Sequence, residues 1–106
     1  MLSKNSKIYV AGHKGLVGSA IIRRLKRKGY NNLIFKTSKE LDLRDQNKVL
    51  RFLKKHKPDF IFIAAAKVGG IFSNNNYKAN FIYDNLAIQI NLIHSAFLSG
   101  IKNLIF

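Results

Sequence analysis

Gly12-His13-Lys14-Gly15-Leu16-Val17-Gly18 decides how this chain is read, because the apolar run Ile8-Tyr9-Val10-Ala11 precedes it and a segment of helical periodicity follows. A strand that ends in glycines and feeds directly into a helix leaves the first N–H groups of the helix unpaired. Those groups, with the positive end of the helix dipole, hold phosphates. On this reading Gly12 permits the tight exit from the strand, Gly15 lets the backbone approach a phosphate with no Cβ in the way, and Gly18 lets the helix pack close to the sheet. The spacing is GxxGxxG and not the general GxGxxG, and glycines so spaced also serve an ordinary strand-to-helix turn. The strand before and the helix after are what favour phosphate binding.

Working outward, residues 15–28 place Leu16, Val17, Ala20, Ile21 and Leu25 on one face and Arg23, Arg24, Lys26, Arg27 and Lys28 mostly on the other, with Gly29 as the stop. Asn31-Asn32 make a turn, and residues 33–36 are a short buried strand, completing a βαβ unit. An NAD-binding unit carries Asp or Glu about twenty residues past the glycines, to accept the ribose hydroxyls. Here the corresponding stretch is Lys36-Thr37-Ser38-Lys39. Lysines and hydroxyls attract a 2′-phosphate that a carboxylate would repel, so the pattern predicts NADP over NAD, with Lys14 reaching the same phosphate. The alternative is that Lys36 and Lys39 are solvated loop lysines.

Asp45 is placed to cap a helix over residues 46–56 that turns Val49, Leu50 and Leu53 inward and is stopped by Lys57-Pro58-Asp59. Asp42 is not explained by capping; it faces an adenine edge or a ribose, or serves a turn. His56 lies in the last helical turn, where the dipole favours a cation. Residues 60–66 form a third strand, apolar throughout as expected of a parallel strand covered on both faces. Its closing Ala64-Ala65-Ala66 leaves room for a ligand crossing the sheet. A glycine-containing loop at residues 67–71 and a polar connection at residues 72–77 lead to a long helix at residues 78–99. That helix is apolar almost all round, which predicts burial under a larger domain or in a subunit interface; Asn85 and Asn91 interrupt it, either bracing backbone near the site or facing solvent. Gly100 caps it, and residues 103–106 begin a fourth strand.

A chain of 106 residues, 47% hydrophobic, supports one domain with one core. With no cysteine there is neither a disulfide framework nor a thiolate metal site. Met1 is followed by a polar run, which matches neither a signal peptide nor a membrane span, so no membrane association and a cytoplasmic location are expected. Nineteen Lys and Arg against five Asp and Glu give +14. Either the chain attracts polyanions or its surface is simply lysine-rich, and the second reading is favoured. The basic residues are spread over several elements and are not interleaved with aromatics, as a nucleic-acid surface would require.

The order βαβαβαβ with short connections predicts an α/β fold, a Rossmann-type doubly wound parallel sheet with strand order 3-2-1-4, the fourth strand lying beside the first at the switch point. The last strand leaves an apolar sheet edge, and the long helix an apolar face, uncovered. The sheet is therefore expected to be incomplete, and residues 1–106 to be the front part of something longer.

Four segments carry a family resemblance: residues 11–20 around the glycines, residues 36–43, Ala64-Ala65-Ala66-Lys67-Val68-Gly69-Gly70-Ile71, and Asn80-Phe81-Ile82-Tyr83-Asp84-Asn85. Together they resemble the GDP-L-fucose synthase family of extended short-chain dehydrogenase/reductases. The resemblance implies an NADP-binding segment of an NADPH-dependent epimerase and reductase acting on GDP-4-keto-6-deoxy-D-mannose, a GDP-sugar, in a homodimer. It implies that Gly12, His13, Lys14, Gly15, Leu16, Val17 and Gly18 hold the pyrophosphate, that Lys14 and Lys36 pair with the 2′-phosphate, that Asp42 and Leu43 border the adenine, and that Ala64, Ala65 and Ala66 line the cofactor. Ser38 stands where some members carry arginine, with Lys39 beside it to compensate. The family's catalytic Ser and Tyr-x-x-x-Lys have no counterpart: four residues after Tyr77 and Tyr83 stand Phe81 and Ala87. The implied chain binds cofactor and is inactive alone. The alternatives are a non-catalytic basic nucleotide- or RNA-binding module and another NAD(P)-dependent sugar-nucleotide epimerase or dehydratase.

Overall fold

In the computed structural model, which describes residues 2–65 and 78–106, strands and helices alternate. The elements are β1 (Ile8–Ala11), α1 (Leu16–Arg27), β2 (Leu33–Ile34), α2 (Gln46–His56), β3 (Phe60–Ile63), α3 (Lys78–Leu98) and β4 (Leu104–Ile105). All strand pairings are parallel. β1 is buried at every position, and its alternate side chains serve two cores. Ile8 and Val10 pack with Leu25 of α1 on one face; Tyr9 and Ala11 pack with Val49, Phe52 and Leu53 of α2 and Ile88, Leu92 and Ala96 of α3 on the other. A period of two in a strand covered on both sides therefore sorts helices between layers.

The doubly wound class forms as expected, but the order 3-2-1-4 does not. The sheet runs β2-β1-β3-β4, with Ile8 to Ala11 in register with Phe60 to Ile63. The reason lies in α2. Its stripe of Val49, Phe52 and Leu53 packs on the Tyr9 face, opposite α1. A right-handed crossover whose helix lies on that face carries the chain back past β1, so the third strand lands beside β1 and the fourth beyond it. The winding direction thus reverses after β2, and the switch point lies between β1 and β3.

Local structure follows the chemistry of the termini. Asp45 caps α2, its carboxylate accepting from the Lys48 N–H at 3.2 Å. The C-terminal carbonyl of His56 accepts from Lys7 Nζ at 2.9 Å. His56 itself is not the dipole-stabilised cation that its position suggests. Its ring lies 4.7 Å from that of Phe52, and desolvation, followed by the charges of Lys55, Lys36 and Lys7, holds its pKa below the ordinary value.

α3 keeps the uncovered apolar face expected of it. Ile88, Asn91, Leu92, Ser95 and Ala96 are buried, while Ile82, Leu86, Ile90 and Phe97 are exposed, so one stripe is covered and the other is open. Asn91 is buried and bonded, its Nδ2 donating to the Leu43 carbonyl at 2.9 Å, so it braces the backbone where residues 42–44 pass under the helix. Among the described residues no helix is long and apolar enough to cross a membrane.

Candidate functional site

The glycine turn stands where β1 and β3 end side by side. Gly12 has φ +86, and a Cβ there would lie 2.6 Å from both the Ala64 oxygen and the Ala65 Cα, so backbone conformation and close approach both demand glycine. Gly18 is held by packing, since its Cβ would lie 1.9 Å from the Gly12 oxygen. Gly15 differs from both. It is the N-cap of α1 at φ −72 and ψ 169, open to any residue, and its Cβ would meet only the Gly12 oxygen at an ordinary 3.5 Å. No side chain caps α1, which leaves its first-turn N–H groups without a side-chain acceptor.

In front of this turn lies a cleft of about 440 Å³. Gly12, His13, Lys14 and Gly15 form one wall; Lys36, Thr37, Ser38, Asp42, Leu43 and Arg44 form another; Leu41, Ala65 and Ile88 add apolar surface. One end offers helix N–H groups and cations, which suit a polyanion, and the other offers apolar and hydrogen-bonding surface, which suits a flat polar ring. A larger hollow, about 640 Å³, lies at the opposite end of the strands, where α2 and α3 terminate at Lys57 and Gly100; it has no helix N-terminus.

Of the residues singled out from the sequence, Gly12, His13, Lys14, Gly15, Lys36, Ser38, Asp42, Leu43 and Ala65 converge on the cleft. Gly18 and Ala64 support the turn from behind. Leu16 is 88% exposed and, with Val17 and Lys39, lies outside the lining. Ala66 lies outside the described residues, as does the loop that follows it.

Sequence reasoning named Thr37 in the 2′-phosphate stretch without reading its turn, and missed Leu41, Arg44 and Ile88. For Thr37 a signal existed. Thr37-x-x-Glu40 has the spacing of a reciprocal cap: Thr37 N–H donates to Glu40 Oε1 at 2.8 Å, and Glu40 N–H donates to Thr37 Oγ1 at 3.2 Å. This bond from the Thr37 N–H, then that from its hydroxyl, keeps the Glu40 carboxyl below its ordinary range. The turn so fixed presents Lys36 and Ser38 to the cleft. His13 is braced similarly, its ring 4.8 Å from that of Phe35, which also lies beneath Lys26 at 6.0 Å. Asp42 is chelated by Arg44: Oδ1 accepts from the Arg44 backbone N–H at 3.0 Å and from Nε at 3.1 Å, and Oδ2 accepts from Nη2 at 3.0 Å. The Arg44 side chain is the leading reason that the Asp42 pKa is lowered.

Residues 8–106 match the profile of the NAD dependent epimerase/dehydratase family. The chain is 55% identical over 106 residues to a putative GDP-L-fucose synthase 2 of Arabidopsis thaliana, covering all of this chain and 32% of that protein. It is 44% identical over 100 residues to the GDP-L-fucose synthase of Escherichia coli, covering 94% of this chain and 31% of the relative. Among solved structures, the GDP-mannoheptose C4 reductase of Campylobacter jejuni with NADP bound superimposes with a TM-score of 0.92 at 46% identity, over 98% of this chain and 33% of the other. The chain thus spans about a third of the length of these relatives. With a glycine turn at the switch point of a doubly wound sheet and a family profile matched from β1 onward, this chain belongs to the NAD dependent epimerase/dehydratase family.

Proposed function

We propose that the cleft binds NADP(H) and that the chain is the cofactor-binding portion of a cytoplasmic enzyme converting GDP-4-keto-6-deoxy-D-mannose to GDP-L-fucose by epimerisation and NADPH-dependent reduction. The observation that carries this reading is Gly15, a glycine that neither backbone conformation nor packing requires, facing the cleft beside an uncapped helix N-terminus. What a side chain there would obstruct is a ligand. Support also comes from Lys14, Lys36 and Ser38 on the facing walls and from the NADP-bound reductase of similar fold and sequence.

In this reading the first-turn N–H groups of α1 and Gly12 to Gly18 hold the pyrophosphate, Lys14 and Lys36 pair with the 2′-phosphate, and Ser38 donates its hydroxyl where a guanidinium would otherwise stand. Asp42 and Leu43 border the adenine, and Ala65 lines the cofactor. When bound, the reduced cofactor supplies the hydride for carbonyl reduction. No residue of this chain is assigned an acid-base role, and Tyr83, 72% exposed on α3, has Ala87 four positions on in place of a lysine. The GDP-sugar is held by parts of the enzyme beyond these residues, and the open stripe of α3 is covered there, by the rest of the enzyme or a second subunit.

The test is a fluorescence titration of the chain with NADPH and NADH, repeated with Lys14→Ala and Lys36→Ala. The wild type is expected to prefer NADPH, and each variant to lose about tenfold of that preference, the worth of one charge-assisted contact. A preference indifferent to both lysines sinks the proposal. The +14 charge motivates a second reading, a polyanion-binding module. Its mark would be RNA binding that weakens steeply with salt and is not competed by NADPH.

A further inference from the structure

A second hollow, about 250 Å³, lies against α2 beside the cleft and shares Lys36 and Leu41 with it. Its other lining residues are Glu40, Lys48, Arg51 and Phe52. Leu41 and Phe52 are buried and give it an apolar floor, around which stand three cations and one carboxylate. α2 carries no acidic residue, and Lys48 and Arg51, three apart on one face of it, repel each other. Glu40 is committed to its turn, where it accepts from the Thr37 N–H at 2.8 Å. Among the described residues the side chains of Lys36, Lys48 and Arg51 make no ion pair and no hydrogen bond. The His56 ring, packed on Phe52 of the same hollow, is held below its ordinary pKa by desolvation and then by Lys55, Lys36 and Lys7. The positive potential on this side of α2 is therefore unanswered.

A hollow so lined suits an anion, and its size narrows the choice. It falls below the ~300–1,000 Å³ usual for a bound small molecule, and an arginine fork beside two ammonium groups matches a phosphate. We propose that this hollow binds a free phosphate dianion through Lys36, Lys48 and Arg51, at a site separate from the cofactor cleft. One consequence rests on the NADP(H) reading above. Because Lys36 lines both spaces, phosphate in the hollow draws its ammonium group away from the 2′-phosphate. Phosphate then weakens NADPH and leaves NADH unaffected, so the concentration of the free anion sets the preference between the two cofactors.

The experiment titrates inorganic phosphate against chloride at equal ionic strength and reads thermal unfolding and the affinities for NADPH and NADH. Three proteins are compared: wild type, the double variant Lys48→Gln with Arg51→Gln, and the double variant Arg23→Gln with Arg27→Gln, which removes the same charge from exposed positions on α1. At about ten times its dissociation constant, phosphate is expected to raise Tm roughly 5–10 °C in wild type and in the α1 variant, and by little in the α2 variant. In the first two proteins it is expected to weaken NADPH about fivefold, with NADH unchanged. No rise in the wild type, or the same rise in all three proteins, overturns the site; an equal rise marks phosphate acting only as a general solute. NADPH weakened as much in the α2 variant places the phosphate in the cleft itself and overturns the site too. A rise that depends on Lys48 and Arg51, with NADPH affinity unmoved, overturns the link through Lys36. The same rise in a chain that binds neither cofactor upholds the phosphate site and overturns the cofactor reading, and the link with it.

Discussion

Replacing Gly15 and Gly18 in turn by alanine separates what the glycine turn does for folding from what it does for binding. In Gly18→Ala the new methyl would lie 1.9 Å from the Gly12 oxygen, 2.7 Å from its carbonyl carbon and 3.0 Å from the His13 Cα, all backbone atoms. None can rotate away, so either α1 lifts from the sheet or the turn opens. Overpacking of this kind costs about 2–3 kcal/mol. For a domain of this size, that lowers Tm by roughly 10–20 °C. In Gly15→Ala the methyl meets one atom at 3.5 Å, and φ −72 suits alanine. Alanine is a poorer N-cap than glycine, but it also narrows the unfolded ensemble, and the two effects offset to within about 0.5 kcal/mol.

Binding is expected to respond the other way. A methyl on the cleft wall holds a phosphate away from the N–H groups of α1, and loss of one charge-assisted hydrogen bond, about 1.5–3 kcal/mol, weakens NADPH roughly 10- to 100-fold. Circular dichroism melts and NADPH fluorescence titrations of the two variants decide the matter. A Gly15→Ala protein that binds NADPH as tightly as wild type refutes the argument that this glycine makes room for a ligand. A Gly18→Ala protein that melts within a few degrees of wild type refutes the close approach of α1 to the turn.

Three further outcomes are expected. Leu53→Ala, at a fully buried position between α2 and the sheet, is expected to lose about 2–5 kcal/mol in urea unfolding. Asn91→Ala leaves the Leu43 carbonyl without its buried donor, with a loss of about 1–3 kcal/mol and faster hydrogen exchange at residues 42–44. Melting temperature is expected to fall with acid in two steps. The His56 pKa is below its ordinary value of 6.5 in the fold, so the unfolded chain takes up the proton first; stability present above that value is lost as pH drops through the folded one, and His56→Gln removes this step. The depressed Glu40 and Asp42 carboxyls give a second step below about pH 4, which Arg44→Met reduces by releasing Asp42.

Much of the fold was legible because helix signals here are local. The Asp45 cap and the Gly29 stop each fall within a few residues, and α2 forms over the predicted span, although its buried stripe is Val49, Phe52 and Leu53 while Leu50 is half-buried. α3 was legible in extent and not in burial. Composition shows that a helix is apolar all round but not which stripe finds a partner, and among the described residues the stripe of Ile88, Leu92 and Ala96 is the buried one. Strand lengths were overestimated for a related reason. Phe35 continues the apolar run of β2, yet the strand stops at Ile34, and the reciprocal cap of Thr37 and Glu40 takes over the chain just beyond.

Strand order is a different kind of quantity, and the cleft shows why. Periodicity says that α2 has an apolar stripe; it does not say on which face of the sheet that stripe will lie, and the face alone decides whether the third strand falls outside β2 or beside β1. Placing it beside β1 brings the Ala64 carbonyl within 2.6 Å of where a Gly12 Cβ would stand, and puts Ala65 in the same cleft as Gly15. With the order 3-2-1-4, the two segments would have been separated by the width of two strands, about 10 Å, and Gly12 would have met the end of the fourth strand in place of Ala64 and Ala65. The close contact at Gly12 therefore constrains topology as well as conformation: a glycine at positive φ that must also clear a neighbouring strand end belongs at a switch point. The first test of the order is correspondingly local. Gly12→Ala is expected to be more destabilising than the strain of a positive φ alone, about 1–2 kcal/mol, because the methyl would also meet Ala64 and Ala65, and a loss confined to that strain would argue that β3 does not end against the glycine turn.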